Sequence, residues 1–156
     1  MSVFVVDASV AAKWVLPGSE EPFRDQALRL LKRWLDSKIH LIVPDFFWVE
    51  LTNVLWKAVR RGRCTQETAV AALAALLEYQ IPTISSLNLL YPSLKKAVLH
   101  GRSVYDSIYV VLAVEAEAQL VTADEKLANA LAGHFPVKWL GAIYLVCGTE
   151  AGFLLA

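Results

Sequence analysis

A three-layer α/β/α domain built on a central, mainly parallel sheet is the fold class this sequence predicts. Short apolar runs rich in β-branched residues alternate with longer stretches of helical period, the order that a parallel sheet with crossover helices requires. The 156 residues are 56% hydrophobic and only 19% charged, enough apolar surface for one core within the usual domain size of about 100–200 residues. A single domain over 1–156 is therefore expected, with no repeat, linker or low-complexity segment.

The elements follow in order. "VFVV" at 3–6 reads as a strand ended by Asp7, and the apolar segment from Ala8 as a helix that Pro17 stops. Within 20–38, Phe23, Ala27, Leu30, Leu31, Trp34 and Leu35 recur at three- and four-residue intervals, the period of an amphipathic helix. "HLIV" at 40–43 is the next strand, and Pro44 with Asp45 opens a helix that runs to Gly62. Thr65 caps an Ala-rich helix reaching about Gln80. "IPTI" is a weak strand, and "SSLNLLYPSLKKAVLHG" reads as one helix interrupted at Pro92 or as two short ones, ended by Gly101. A buried helix over 104–118, the strand "QLVT" at 119–122, a helix over 123–131 and a last strand "VKWL" at 137–140 complete the pattern. The tail "GAIYLVCGTEAGFLLA" has no placement from pattern alone.

Composition excludes several functions. The longest uncharged apolar stretches fall short of the ~18–20 residues that span a bilayer, so no membrane span is expected. The first residues "MSVFVVDAS" lack a basic lead and resemble a strand more than a secretion signal, which points to the cytoplasm. Cys64 and Cys147 are too few and too far apart for a disulfide framework or a metal-ligand spacing, and both read as packing residues. Fifteen basic residues balance fifteen acidic ones, so overall charge does not advertise a nucleic-acid partner. Two local runs, "RLLKR" and "KAVRRGR", permit one, although solvated helix faces explain each run alone.

The acids are more telling. In open parallel sheets ligands bind beyond the carboxyl ends of the strands. Asp7 directly follows the first strand and Asp124 comes two residues after "QLVT", so both face one crevice if those strands are neighbours. Each alone is explained as a helix cap. Glu50 has Phe46, Phe47, Asn53 and Val54 as helical neighbours and no base at a favourable spacing. Asp106 stands among Tyr105, Ile108, Tyr109 and Val110, with only a helix dipole worth about 0.3–1 kcal/mol to help it. Burying an unpaired carboxylate is costly and raises its pKa, a penalty that a bound cation reverses. Four such acids in one crevice repel one another unless something positive sits between them. A carboxylate set without nitrogen or sulfur donors suits Mg²⁺ or Mn²⁺. His40, His100 and His134 lack paired spacing for zinc, and no phosphate-binding glycine loop or G-x-S-x-G elbow occurs.

The segments "VVDAS", "PDFFWVELTNVL", "SVYDSIYVVLA" and "LVTADEKL", in this order and over nearly the whole chain, resemble the PIN-domain ribonucleases, most closely the VapC-type toxins of toxin–antitoxin pairs. The resemblance implies a catalytic and metal-binding quartet of Asp7, Glu50, Asp106 and Asp124. Asp7, Asp106 and Asp124 become metal ligands, and Glu50 holds one of the ion's waters or helps deprotonate the nucleophile. Ser9, Thr122 and Asn53 fall where supporting hydrogen bonds are made. The implied reaction is Mg²⁺- or Mn²⁺-dependent hydrolysis of single-stranded or looped RNA to a 5′-phosphate and a 3′-hydroxyl, the ion activating water and neutralising phosphate charge. Lys57, Arg60 and Arg61, which follow Glu50 on its helix, are the candidate RNA contacts. The resemblance also implies a homodimer and a small antitoxin partner. Two features depart from the pattern: "YDS" stands where "YDA" is commoner, and the tail after Leu140 is longer and more apolar. Two alternatives stay open. One is a PIN scaffold that binds RNA or protein without catalysis. The other is a phospho-receiver domain, which needs an acid pair after its first strand and a site lysine after its last, whereas Lys138 lies inside that strand.

Overall fold

The structure is a computed structural model that describes residues 1–18, 21–144 and 154–155. Five parallel strands, β1 (Val3–Val6), β2 (His40–Pro44), β3 (Thr83–Ile84), β4 (Gln119–Thr122) and β5 (Val137–Trp139), form a sheet in the order β3-β2-β1-β4-β5. Val5 is in register with Ile42 on one side and Leu120 on the other. Phe4, Val5 and Val6 are all buried. Since successive strand residues point to opposite faces, both faces of the sheet are covered, as the all-apolar strand runs require. The order places β1 and β4 side by side, so the segments that follow them open into one crevice. It also differs from the 2-1-3-4-5 order of flavodoxin-like receivers, which removes the topology that a phospho-receiver needs.

The helices are α1 (Ala8–Val15), α2 (Arg24–Leu35), α3 (Phe47–Arg60), α4 (Gln66–Glu78), α5 (Leu90–His100), α6 (Val104–Glu115) and α7 (Glu125–Leu131). Thr65 caps α4 by accepting from the Thr68 N–H, as its position promised. Pro92 does not break the 90–100 segment. It sits in the first turn of α5, where a backbone N–H has no intrahelical partner to lose, and a 3₁₀ turn over Ser86–Leu89 leads into it. Gly101 ends α5 in the left-handed conformation, with φ of 62°.

α6 packs against β1, β2 and β4, and its seven consecutive residues Ser107–Ala113 are buried. That accounts for its lack of an amphipathic stripe: a helix apolar all round is a core helix. The last strand is one residue shorter than expected, because Leu140–Ala142 turns as a 3₁₀ segment. Beyond it, Ile143–Tyr144 (β6) pairs antiparallel with Leu154–Leu155 (β7). Cys64 is a partly buried residue packed against the core, and Cys147 lies outside the described residues. Among the described residues no helix is long and apolar enough to cross a membrane.

Candidate active site

Asp7 is held at the end of β1 by its own N–H, which donates to the Val121 carbonyl of β4 at 3.0 Å. Its side chain caps α1, accepting from the Ser9 N–H. The carboxylate does more than cap, since Oδ2 also accepts from Thr122 Oγ1 at 2.6 Å and from Ser9 Oγ at 2.9 Å. Ser9 Oγ in turn accepts from the Ala123 N–H at 3.0 Å, and Thr122 Oγ1 from the Asp124 N–H at 3.1 Å. Thr122 is fully buried, so its hydroxyl depends on these partners. The two hydroxyl positions expected from sequence thus lock the ends of β1 and β4 together around one carboxylate.

Glu50 projects from the first turn of α3 and accepts from the Tyr109 hydroxyl of α6 at 2.5 Å. The Tyr109 oxygen also accepts from the Ala8 N–H at 3.4 Å, which ties α6 to the start of α1. Phe46 packs on both Tyr105 and Tyr109, with ring centroids 5.9 and 5.1 Å apart. Tyr109 is the site residue that pattern reasoning left unused. It stands one turn after Asp106 on the same face of α6, and that spacing was the available signal.

Electrostatics join three of the four acids. Burial pushes the Asp7 carboxyl above its ordinary range, in spite of hydrogen bonds from Thr122 and Ser9, and the charge of Asp106 adds to the rise. Burial likewise raises Glu50 to about 7 against the Tyr109 hydrogen bond, with Asp7 and Asp106 contributing. Tyr109 itself is pushed up, first by burial and then by the charges of Asp7 and Glu50. Asp106 occupies the first turn of α6, where the Ser103 side chain caps the helix. Asp124 is placed differently. It is exposed, and its Oδ1 caps α7 by accepting from the Leu127 N–H at 3.0 Å, so it joins the others through Thr122. The ion pairs among the described residues are Lys13–Glu21, Lys32–Asp36 and Arg63–Glu21. None neutralises any of the four acids.

Asn53, Lys57, Arg60 and Arg61 continue along α3. Asn53 is exposed and lines a groove with Trp48, Val49, Thr52 and Trp56, and among the described residues no hydrogen bond joins it to the acids. The Arg60 guanidinium lies 4.9 Å from the centre of the Trp56 ring.

The PIN domain family model matches residues 4–131, a span that includes all four acids. The chain belongs to the PIN-domain family. Ribonuclease VapC3 of Pyrobaculum aerophilum is 33% identical over 127 residues, covering 80% of this chain and 92% of that protein. Among solved structures, PAE2754 from Pyrobaculum aerophilum superposes with a TM-score of 0.65 at 24% identity, over 90% of this chain and 85% of that one. VapC20 of Mycobacterium tuberculosis, described as a sarcin-ricin loop cleaving toxin, gives 0.61 at 20% identity, over 86% and 96%. VapBC2 from Rickettsia felis, bound to a DNA fragment from its promoter, gives 0.61 at 15% identity, over 88% and 98%. At these identities the structural likenesses establish the PIN fold.

The donors in this PIN domain fit a hard divalent ion in kind. Asp7, Glu50 and Asp106 offer only oxygen, and their mutual repulsion leaves a position where a cation is favoured. Among the described residues no three His, Cys, Asp or Glu side chains close on one point as metal ligands. An all-oxygen donor set is of the kind that hard divalent ions take, unlike the nitrogen and sulfur cage of structural zinc.

Proposed function

We propose that this PIN-domain protein is a Mg²⁺- or Mn²⁺-dependent endoribonuclease of the VapC type, the toxin of a toxin–antitoxin pair acting in the cytoplasm. The observation that carries the reading is the meeting of Asp7, Glu50 and Asp106, from three separate segments: the charge of Asp106 adds to the rise of the Asp7 and Glu50 carboxyls, and among the described residues no Lys or Arg forms an ion pair with any of the three. The ribonuclease relative at 33% identity supports RNA as substrate, and the VapBC2 assembly supports an antitoxin partner.

In this reading Asp7 and Asp106 would hold the ion, while Asp124 stays exposed at the rim as the cap of α7. When bound, the ion activates water and neutralises charge on the phosphate. Ser9 and Thr122 hold the Asp7 carboxylate in place, and Tyr109 fixes Glu50. Glu50, with its pKa raised to about 7, takes the proton of the attacking water at neutral pH. Water then adds to phosphorus and the 3′ oxygen leaves, giving a 5′-phosphate and a 3′-hydroxyl. Lys57, Arg60 and Arg61 neutralise backbone phosphates. Incubation with a generic single-stranded RNA should give Mn²⁺-dependent fragments bearing 5′-phosphates, and chelation should stop the reaction. RNA bound but left intact in Mn²⁺ would favour the non-catalytic scaffold instead.

A homodimer has its own support. Tyr91, Leu94 and Val98 form one stripe on α5 and are 80%, 58% and 79% exposed, and Leu87 of the preceding 3₁₀ turn is exposed as well. Contiguous exposed apolar surface of this kind marks an interaction site. Light scattering should find a dimer for the parent and a monomer for the Leu94→Glu, Val98→Glu variant. A parent that is monomeric, or a variant that remains dimeric, removes this assignment.

A further inference from the structure

Tyr105 precedes Asp106 in the first turn of α6 and is 64% exposed, whereas Tyr109, one turn further along, is only 3% exposed. At 3.6 residues per turn the two tyrosines lie about 40° apart around the helix, and Asp106 lies about 60° beyond Tyr109. Around the axis Tyr109 thus falls between Tyr105 and Asp106, and it is the group that donates to Glu50 at 2.5 Å. Phe46 closes the same link from the start of α3. Its ring packs on Tyr105 and on Tyr109, with centroids 5.9 and 5.1 Å away, and its carbonyl accepts from the Glu50 N–H at 3.0 Å. Tyr105 is therefore the solvent end of an aromatic row, Tyr109–Phe46–Tyr105, that begins at Glu50. Phe46 braces the ring, and most of its surface is left in water. An aromatic ring fixed in this way at the lip of a polar pocket forgoes the burial that makes such side chains stabilising.

We propose that Tyr105 is a substrate-binding residue: its open ring stacks on the base next to the phosphodiester that is cut, and so fixes which phosphate of the strand lies at Asp7 and Asp106. This rests on the ribonuclease reading and deepens it, from the class of substrate to the register of cleavage. Adjacent residues have Cα atoms about 3.8 Å apart, so a strand with a phosphate at Asp106 carries its neighbouring base past Tyr105. A base suits this lip because stacking brings no further negative charge to the acids, whereas a second phosphate is repelled. Every base has a π-face, so stacking tolerates all four. The ring sets position without dictating sequence.

The test compares kcat and KM for Mn²⁺-dependent cleavage of a short labelled oligoribonucleotide, first intact and then with the base removed on one side or the other of the mapped cut. For the parent, one of the two abasic strands should have a KM about 5- to 150-fold higher, the loss of one base–aromatic stack. Tyr105→Ala should show the same rise on the intact strand with kcat kept, since an interaction made equally before and during the reaction acts on KM alone. On that abasic strand the variant should lose nothing more. Tyr105→Phe should recover most of the loss. The Mn²⁺-induced rise in melting temperature should match the parent's in both variants, because neither replaces an acid. Full additivity of the Tyr105→Ala and abasic losses overturns the proposal, as does a Tyr105→Ala enzyme that matches the parent on the intact strand. A loss carried by kcat, or a lost Mn²⁺ response, also overturns it and makes Tyr105 a prop that acts on Glu50 through Phe46. Parent-like cleavage with an altered oligomeric state overturns it too and gives the ring to a protein partner. In each of these cases the parent still cuts RNA and the ribonuclease reading stands; a parent that cuts no RNA in Mn²⁺ ends both.

Discussion

Asp106→Asn should lower Mn²⁺-dependent RNA cleavage by at least about a hundredfold. Charge stabilisation by a bound ion is worth several kcal/mol, and each 1.36 kcal/mol is a factor of ten in rate. The substitution keeps the side chain's shape and removes its charge. It falls in the first turn of α6, ahead of the buried run Ser107–Ala113, so the fold should survive, and the far-ultraviolet circular dichroism should match the parent's. Asp7→Asn should cost as much activity and more stability, since Asp7 also accepts from Ser9 and Thr122. Single-turnover cleavage of a labelled RNA measures both, and variants that cut as fast as the parent would remove these acids from the site.

The second large effect is on stability. At a hundred times its Kd, a ligand that binds only the folded state adds about 2.7 kcal/mol, or roughly 5–10 °C in Tm for a domain of this size. Mn²⁺ should raise the melting temperature of the parent by that order, and the rise should shrink in Asp106→Asn. Without metal the ranking should invert, because the substitution relieves repulsion on Asp7 and Glu50.

The pH dependence has a definite sign. Glu50 has a folded pKa of about 7 against an ordinary 4.5, so between those values the folded state binds more protons than the unfolded one. Its contribution to stability is then fully present at the acid end and is lost as pH climbs through about 7. Asp7, also raised, acts in the same sense. The metal-free protein should therefore lose melting temperature between pH 4.5 and about 7, and saturating Mn²⁺ should flatten that loss. Scanning fluorimetry in chelator and in Mn²⁺ measures both. Identical metal responses in parent and variant would argue against a shared cation site.

The sequence by itself determined the elements and the family. Strand ends, caps and helical periods are local, so Asp7, Thr65, Gly101 and Asp124 announce their backbone roles from their immediate neighbours. The four acidic segments, in order, were enough to place the chain among PIN domains. Local pattern also misjudged some details: Pro92 looked like a break until its place in the first turn made it harmless, and Leu140 looked like strand until it proved to turn.

Tertiary structure alone decided which groups touch. The Tyr109–Glu50 hydrogen bond spans 59 residues and the Thr122–Asp7 bond 115. No periodicity encodes contacts of that range, because they exist only once β1 and β4 pair and α6 packs across them. The same packing separated acids that looked equivalent. Asp7 and Glu50 were carried into a desolvated pocket where their charges are costly, whereas Asp124 was left exposed at the rim with a helix N-terminus to satisfy it. It also left the indole of Trp56 half-exposed on a flank of α3 turned away from the core.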